Sequence, residues 1–90
     1  PAVVFDNVED VAINGLSAQG NPAGEAVVRF TGVKDALLTA SRVLTPAAAF
    51  LQVEGEGNAG ITIDGGDLTK AAVPVTFRDG AAEKTVRLRA

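Results

Sequence analysis

The stretch VKDALLTASRVLTPAAAFL, residues 33–51, decides the fold class because it fits two kinds of element. Val33, Leu37, Ala40, Val43, Leu44, Ala47 and Leu51 follow helical spacing. Asp35 stands where it would cap one helix, and Thr45-Pro46 make an N-cap and N1 pair for another. Val33, Leu37, Val43 and Leu51 also share one parity of a period-two pattern, as a half-buried strand requires. Strand and helix both stay open here, and a short Pro-initiated turn over residues 46–49 fits either.

The flanking sequence is β-prone. Residues 2–5 form a short run of that kind, and in residues 8–16 Val11 and Ile13 alternate with Ala12 and Asn14. Residues 17–24, SAQGNPAG, read as a loop, and residues 25–31, EAVVRFT, as a strand closed by Gly32. After the ambiguous stretch, residues 50–54 and 61–63 read as strands, and Asp64-Gly65-Gly66-Asp67 as a tight turn. At the end, Val73, Val75 and Phe77 alternate with Pro74, Thr76 and Arg78, while Val86 and Leu88 alternate with Thr85, Arg87 and Arg89. This predicts a hairpin-like pair, or two strands joined across sheets, with Val75, Phe77, Val86 and Leu88 in the core. Pro74 lacks an N–H, so its strand is expected at an edge or to pair late. Short strands 8–12 residues apart with Gly-rich turns are the pattern of a sandwich or barrel. No repeat of 20–50 residues stands out by eye, and no linker divides the chain, so residues 1–90 are taken as a single domain.

The last eighteen residues, VPVTFRDGAAEKTVRLRA (73–90), resemble the closing strands of immunoglobulin-like modules in bacterial and phage surface proteins. The resemblance implies an all-β, immunoglobulin-like β-sandwich, with room for one short helix in residues 33–50, and a structural or adhesive role. A second resemblance lies in PAVVF at the start, which is similar to the opening of the tautomerase family, whose N-terminal proline amine acts as a base. It implies an amphipathic helix next, yet the following residues are interrupted by Gly15, Gly20 and Pro22.

Composition narrows the chemistry. The chain has 90 residues, 47% of them hydrophobic, with four Phe and no Trp, Tyr, Met, Cys or His. That removes disulfides, thiolate nucleophiles, imidazole bases and His- or Cys-ligated metals. Only Phe is left as a stacking platform. Eleven acids supply carboxylate pairs, but a chain this short and poor in aromatics can hardly build a glycosidase cleft. No apolar run approaches the ~20 residues of a membrane span. The net charge of −3 disfavours nucleic acid as a partner. Charge is also uneven: residues 1–67 hold nine acids and three bases, residues 68–90 five bases and two acids. Solvated strand faces account for this, and so does a dipolar module whose basic end meets an acidic neighbour.

Two motifs invite a cofactor. Gly55-Glu56-Gly57-Asn58-Ala59-Gly60 matches G-x-G-x-x-G, but the β-branched run ITI that follows cannot start the helix a dinucleotide loop needs, and Glu54 and Glu56 repel phosphate. Glu54, Glu56, Asp64 and Asp67 cluster near turns, as calcium ligands do, though without EF-hand spacing. The expectation is therefore no cofactor and no catalytic residue.

The function expected from these features is a non-enzymatic structural or accessory module at a virion surface or in an extracellular setting, such as a phage capsid decoration or tail protein. The alternatives are a domain of a bacterial surface adhesin and a small enzyme using Pro1. Pro1 fits removal of an initiator methionine from a whole small protein, and an excised domain equally. Partners would be a protein assembly or a homo-oligomer, met through Arg78, Arg87 and Arg89.

Overall fold

The computed structural model describes residues 1–21 and 26–89. Ten strands follow in order: β1 (Val3–Asp6), β2 (Glu9–Asn14), β3 (Ser17–Ala18), β4 (Val28–Thr31), β5 (Lys34–Thr39), β6 (Arg42–Val43), β7 (Ala47–Glu54), β8 (Ala59–Asp64), β9 (Ala71–Arg78) and β10 (Val86–Arg89), with a 3₁₀ turn at Glu83–Thr85. Every pairing between these strands is parallel. One sheet, A, runs β1-β4-β7-β9; a second, B, runs β10-β8-β5-β2; the third, C, pairs β3 with β6. The chain therefore winds through A, B and C and starts again, which is a β-solenoid of four coils.

This corrects the expected immunoglobulin-like β-sandwich. A sandwich is built from antiparallel strands, whereas β9 and β10 do not pair at all: each closes a different sheet. The helix allowed for in residues 33–50 is also absent, replaced by β5, β6 and the start of β7. The residues that suggested helix serve as corners and clamps. Asp35 and Ala40 have φ of 60° and 53°, the left-handed region, and turn the chain rather than cap it. Thr45 clamps neighbouring coils: its Oγ1 accepts from the Gly20 N–H at 2.8 Å and donates to the Gly20 carbonyl at 2.9 Å. The corner at Asp35 also breaks parity, so Leu38 is fully buried while Leu37, expected on the face of Val33, is 42% exposed.

A 25-residue repeat underlies the winding, contrary to the expectation of none. Val11, Ala36, Ile61 and Val86 stack at spacings of 25. In sheet A the steps are less even: Val3 pairs with Val28, Val28 with Leu51 and Leu51 with Val75. Two further inward columns are Phe5-Phe30-Val53-Phe77 and Ile13-Leu38-Ile63-Leu88. Phe5 and Phe30 meet edge-to-face at 5.5 Å. The middle coils supply the fully buried core, including Val28, Phe30, Leu38, Leu51, Val53 and Ile61. Their counterparts in the outer coils, Val3, Phe5, Val11, Ile13, Val75, Phe77 and Val86, are only partly buried. Leu88, expected in the core, is 53% exposed because nothing stacks beneath β10 among the described residues.

The corners stack like the strands. Sheet A ends on Asn7, Gly32, Gly55 and Asp79, all at positive φ (56°, 66°, 87° and 53°). Sheet B ends on Gly15, Ala40 and Gly65, again all left-handed. Each is a residue step past paired neighbours, such as Asn14, Thr39 and Asp64. The solenoid needs the same bend at the same place in every coil. Gly, Asn and Asp accept that bend at low cost, and Ala40 accepts it at some strain.

Candidate interaction surface

The outward side chains also form columns, and charge varies along them in an ordered way. In sheet A, Asp6, Thr31, Glu54 and Arg78 lie in register; in sheet B, Glu9 lies beside Lys34, and Asn14, Thr39, Asp64 and Arg89 form a ladder. In sheet C, Arg42 bridges to Asp67. Four register pairs join opposite signs, Glu9 with Lys34, Glu54 with Arg78, Asp64 with Arg89 and Arg42 with Asp67, while Asp10 and Asp35, in equivalent places of neighbouring coils, carry the same sign. The contacts themselves are loose. Arg89 Nη1 lies 3.8 Å from Asp64 Oδ2 with both side chains well exposed, an ion pair of small energetic value. The ladder's other end is tighter, with Thr39 Oγ1 donating to Asn14 Oδ1 at 2.8 Å.

The three arginines expected to form one basic face are divided. Arg87 and Arg89 project from sheet B, beside Thr62 and Asp64, whereas Arg78 belongs to sheet A beside Glu54. All three share the last coil, so they form a basic rim at one end of the stack and not a flank. The opposite end carries an acidic rim, Asp6, Glu9 and Asp10, all exposed. Sequence reading missed that rim; the signal was the recurrence V-x-F-x-x-V-x-D at residues 3–10 and 28–35, which sets both segments in equivalent places.

The four acids considered for calcium are not brought together. Glu54 lies on sheet A, Asp64 on sheet B, Asp67 beside sheet C, and Glu56 in the corner after β7. Among the described residues no group of three or more acids is placed to hold a metal ion. Asp67 is instead tied down locally. Thr69 donates to its Oδ1 from the hydroxyl at 2.7 Å and from the backbone N–H at 3.1 Å. These bonds, with smaller help from Arg42 and Lys70, hold the Asp67 carboxyl below the usual range.

The glycine-rich motif is the corner between β7 and β8. Asn58, 3% exposed, organises it: Oδ1 accepts from the Val33 N–H at 2.9 Å, and Nδ2 donates to the Glu54 and Gly55 carbonyls at 2.7 and 3.2 Å. The side chain thus satisfies backbone groups left over where this coil makes a longer corner than its neighbour. Strand β8 follows, with no helix start to receive a phosphate.

Pro1 is exposed beside a shallow recess of about 350 Å³ lined, among the described residues, by Ala2, Gln19, Gly20, Asn21, Ala26 and Val27. Where the tautomerase resemblance implies a helix, the chain forms β2 and β3. At the other end of the stack lies a wider, mainly apolar recess of about 500 Å³, lined by Ile63, Leu68, Pro74, Leu88 and their neighbours. Among the described residues no helix is long and apolar enough to cross a membrane. The chain matches no family model, and no curated protein and no solved structure is detectably similar to it.

Proposed function

We propose that this chain is a non-enzymatic structural module, a β-solenoid section that serves in a larger protein assembly at a virion or cell surface. The observation that carries this reading is the dispersal of its chemistry. The side chains capable of acid, base or ligand roles are spread over three outer faces, while ordered packing is spent on stacking one coil on the next. Solenoids of this kind use repetition to build rigid, extended surfaces, and each repeat is stabilised by its neighbours. The opposite signs of the two end rims suit an element placed in one orientation between neighbours. A capsid or tail component and an adhesin section both fit this description.

Location tests the reading. Antibodies raised against residues 1–90 should label the outer surface of the source particle or cell in immunogold microscopy, and the protein should sediment with that fraction. A protein found wholly in the soluble fraction, with measurable turnover of a small substrate that is lost in a Pro1 variant, would contradict it.

A further inference from the structure

The outer side of sheet B differs from that of sheet A in where its charges lie and in what occupies its centre. In sheet B, β2 carries Glu9 and Asp10, β5 sets Lys34 against Asp35, β8 carries Asp64, and β10 carries Arg87 and Arg89. Two acids thus stand on one outer strand and two arginines on the other. In sheet A the signs alternate from coil to coil, through Asp6, Arg29, Glu54 and Arg78, and the central outward side chain, Gln52, is only 4% exposed. At the centre of sheet B stands Leu37, 42% exposed, the one large hydrophobic side chain so exposed on the two middle coils among the described residues. Its strand is paired on both sides, to β2 and to β8, so its exposure owes nothing to the ends of the stack. Small side chains flank it in register, Ala12 on one side and Thr62 on the other.

We infer that the outer side of sheet B is a two-fold interface with a second copy of this chain, the two stacks lying flank to flank and running in opposite directions. The inference rests on the structural-module reading and names the partner of that assembly. The occupant follows from the charge pattern of the face itself. A half-turn about an axis along the strands lays β2 of one copy over β10 of the other, and β5 over β8. The acids of each copy then meet the arginines of the other, twice over. In the same arrangement Leu37 lies over Thr62, Ala12 over Arg87 and Asn14 over Arg89, since these are the register positions of the four strands. The other half-turn that brings the faces together, about the stacking direction, lays β10 over β10 and gathers four arginines, which is repulsive. A patch that completes itself under one two-fold axis is what a closed, isologous dimer needs. An apolar centre with charges outside it is also the usual build of a protein interface.

The size of the face sets the strength. Strands of up to six residues, four deep, cover about 20 × 20 Å. A pair would bury roughly 800 Å² in total, below the standard interface. The dimer is therefore reversible, with a dissociation constant on the order of 100 μM, and it gains strength where many copies are held together.

Sedimentation equilibrium of residues 1–90, carried up to about 1 mM, tests this. The expected result is a weight-average mass that levels off at two chains, with weaker association at high salt. Ala12, Leu37 and Arg87 are all exposed, so substituting them leaves the core untouched, and an unchanged Tm checks each variant. Leu37→Glu should abolish association. Arg87→Glu should weaken it at least about tenfold by losing its attraction to Asp10 and Glu9 of the other copy. Ala12→Arg alone should weaken it as well, by facing Arg87 of the other copy, while Ala12→Arg with Arg87→Glu should restore it to within about threefold of the unsubstituted chain. A chain that stays monomeric at about 1 mM would overturn the inference. So would a mass that keeps rising past two chains and is indifferent to Leu37→Glu, which would mean end-to-end stacking, and so would a double variant no stronger than Arg87→Glu. None of these outcomes bears on surface location, so the functional reading stands or falls separately.

Discussion

Gly66 shows what the solenoid demands of a single residue. Its φ is +92°, and a Cβ built there would run into the Ser41 carbonyl oxygen and backbone N of the coil above. Gly65 has a similar conformation, φ +67°, but open space around it. Gly65→Ala should therefore cost only the left-handed backbone, about 1–2 kcal/mol, and Gly66→Ala should cost about 3 kcal/mol or more because the coils must also part. Urea unfolding of the two variants measures the difference. Asp67 gives a second prediction at this scale. Its carboxyl is held below the usual range by the Thr69 hydroxyl, then by the Thr69 N–H. A folded pKa below the unfolded one means a stabilisation present above the unfolded pKa and lost as pH falls through the folded value. Thr69→Val should raise the Asp67 pKa towards the ordinary carboxylate value, read from the carboxyl ¹³C shift, and should flatten the acid limb of stability.

Single residues also explain what the sequence revealed. Alternation in residues 8–16 placed Val11 and Ile13 inward, as they are in β2. It failed at Leu37, because a left-handed residue at 35 resets the parity and a reader counting by twos does not see it. The arginines were correctly set on outward faces, but their grouping depended on which strands share a sheet, which alternation alone does not encode.

At the scale of elements, corners and strands carry separate loads. Asn58 supports the longest interior corner by bonding to three backbone groups. Asn58→Ala would leave the buried Val33 N–H without its acceptor, so a loss of about 2–4 kcal/mol is expected, read from the denaturant midpoint. Among strands, burial depends on the coil's place in the stack. Phe30 is fully buried and Phe77, in the same column, is not. Phe30→Ala should cost about 3–5 kcal/mol, and Phe77→Ala less than about 3 kcal/mol; equal losses would show that the last coil is as enclosed as the second. Thr76, which alternates with the inward Val75 and Phe77, nonetheless has a buried hydroxyl with no hydrogen-bond partner among the described residues. The strands themselves were largely legible, since β-branched and alternating runs mark them in any sheet. Their direction was not, because period-two alternation is the same in parallel and antiparallel pairs.

For the whole molecule, the fold lay in a repeat that few identities betray. Val3, Phe5, Val8 and Asp10 recur at Val28, Phe30, Val33 and Asp35, but the later coils keep apolar character only at the first two places, as Leu51 and Val53, then Val75 and Phe77. The spacing in sheet A also changes where β7 begins, and a fixed-period comparison loses step there. The C-terminal strands, read in isolation, satisfy a hairpin as well as a solenoid, and only the pairing of β10 with β8 and of β9 with β7 separates the two. That pairing is the account's central claim, and interstrand nuclear Overhauser effects on uniformly labelled protein test it most directly. The solenoid predicts parallel-type HN–Hα contacts linking residues 11–14 to 36–39 and 36–39 to 61–64, each set 25 residues from the next. Close Hα–Hα contacts between residues 73–78 and 86–89, the mark of an antiparallel hairpin, would contradict it.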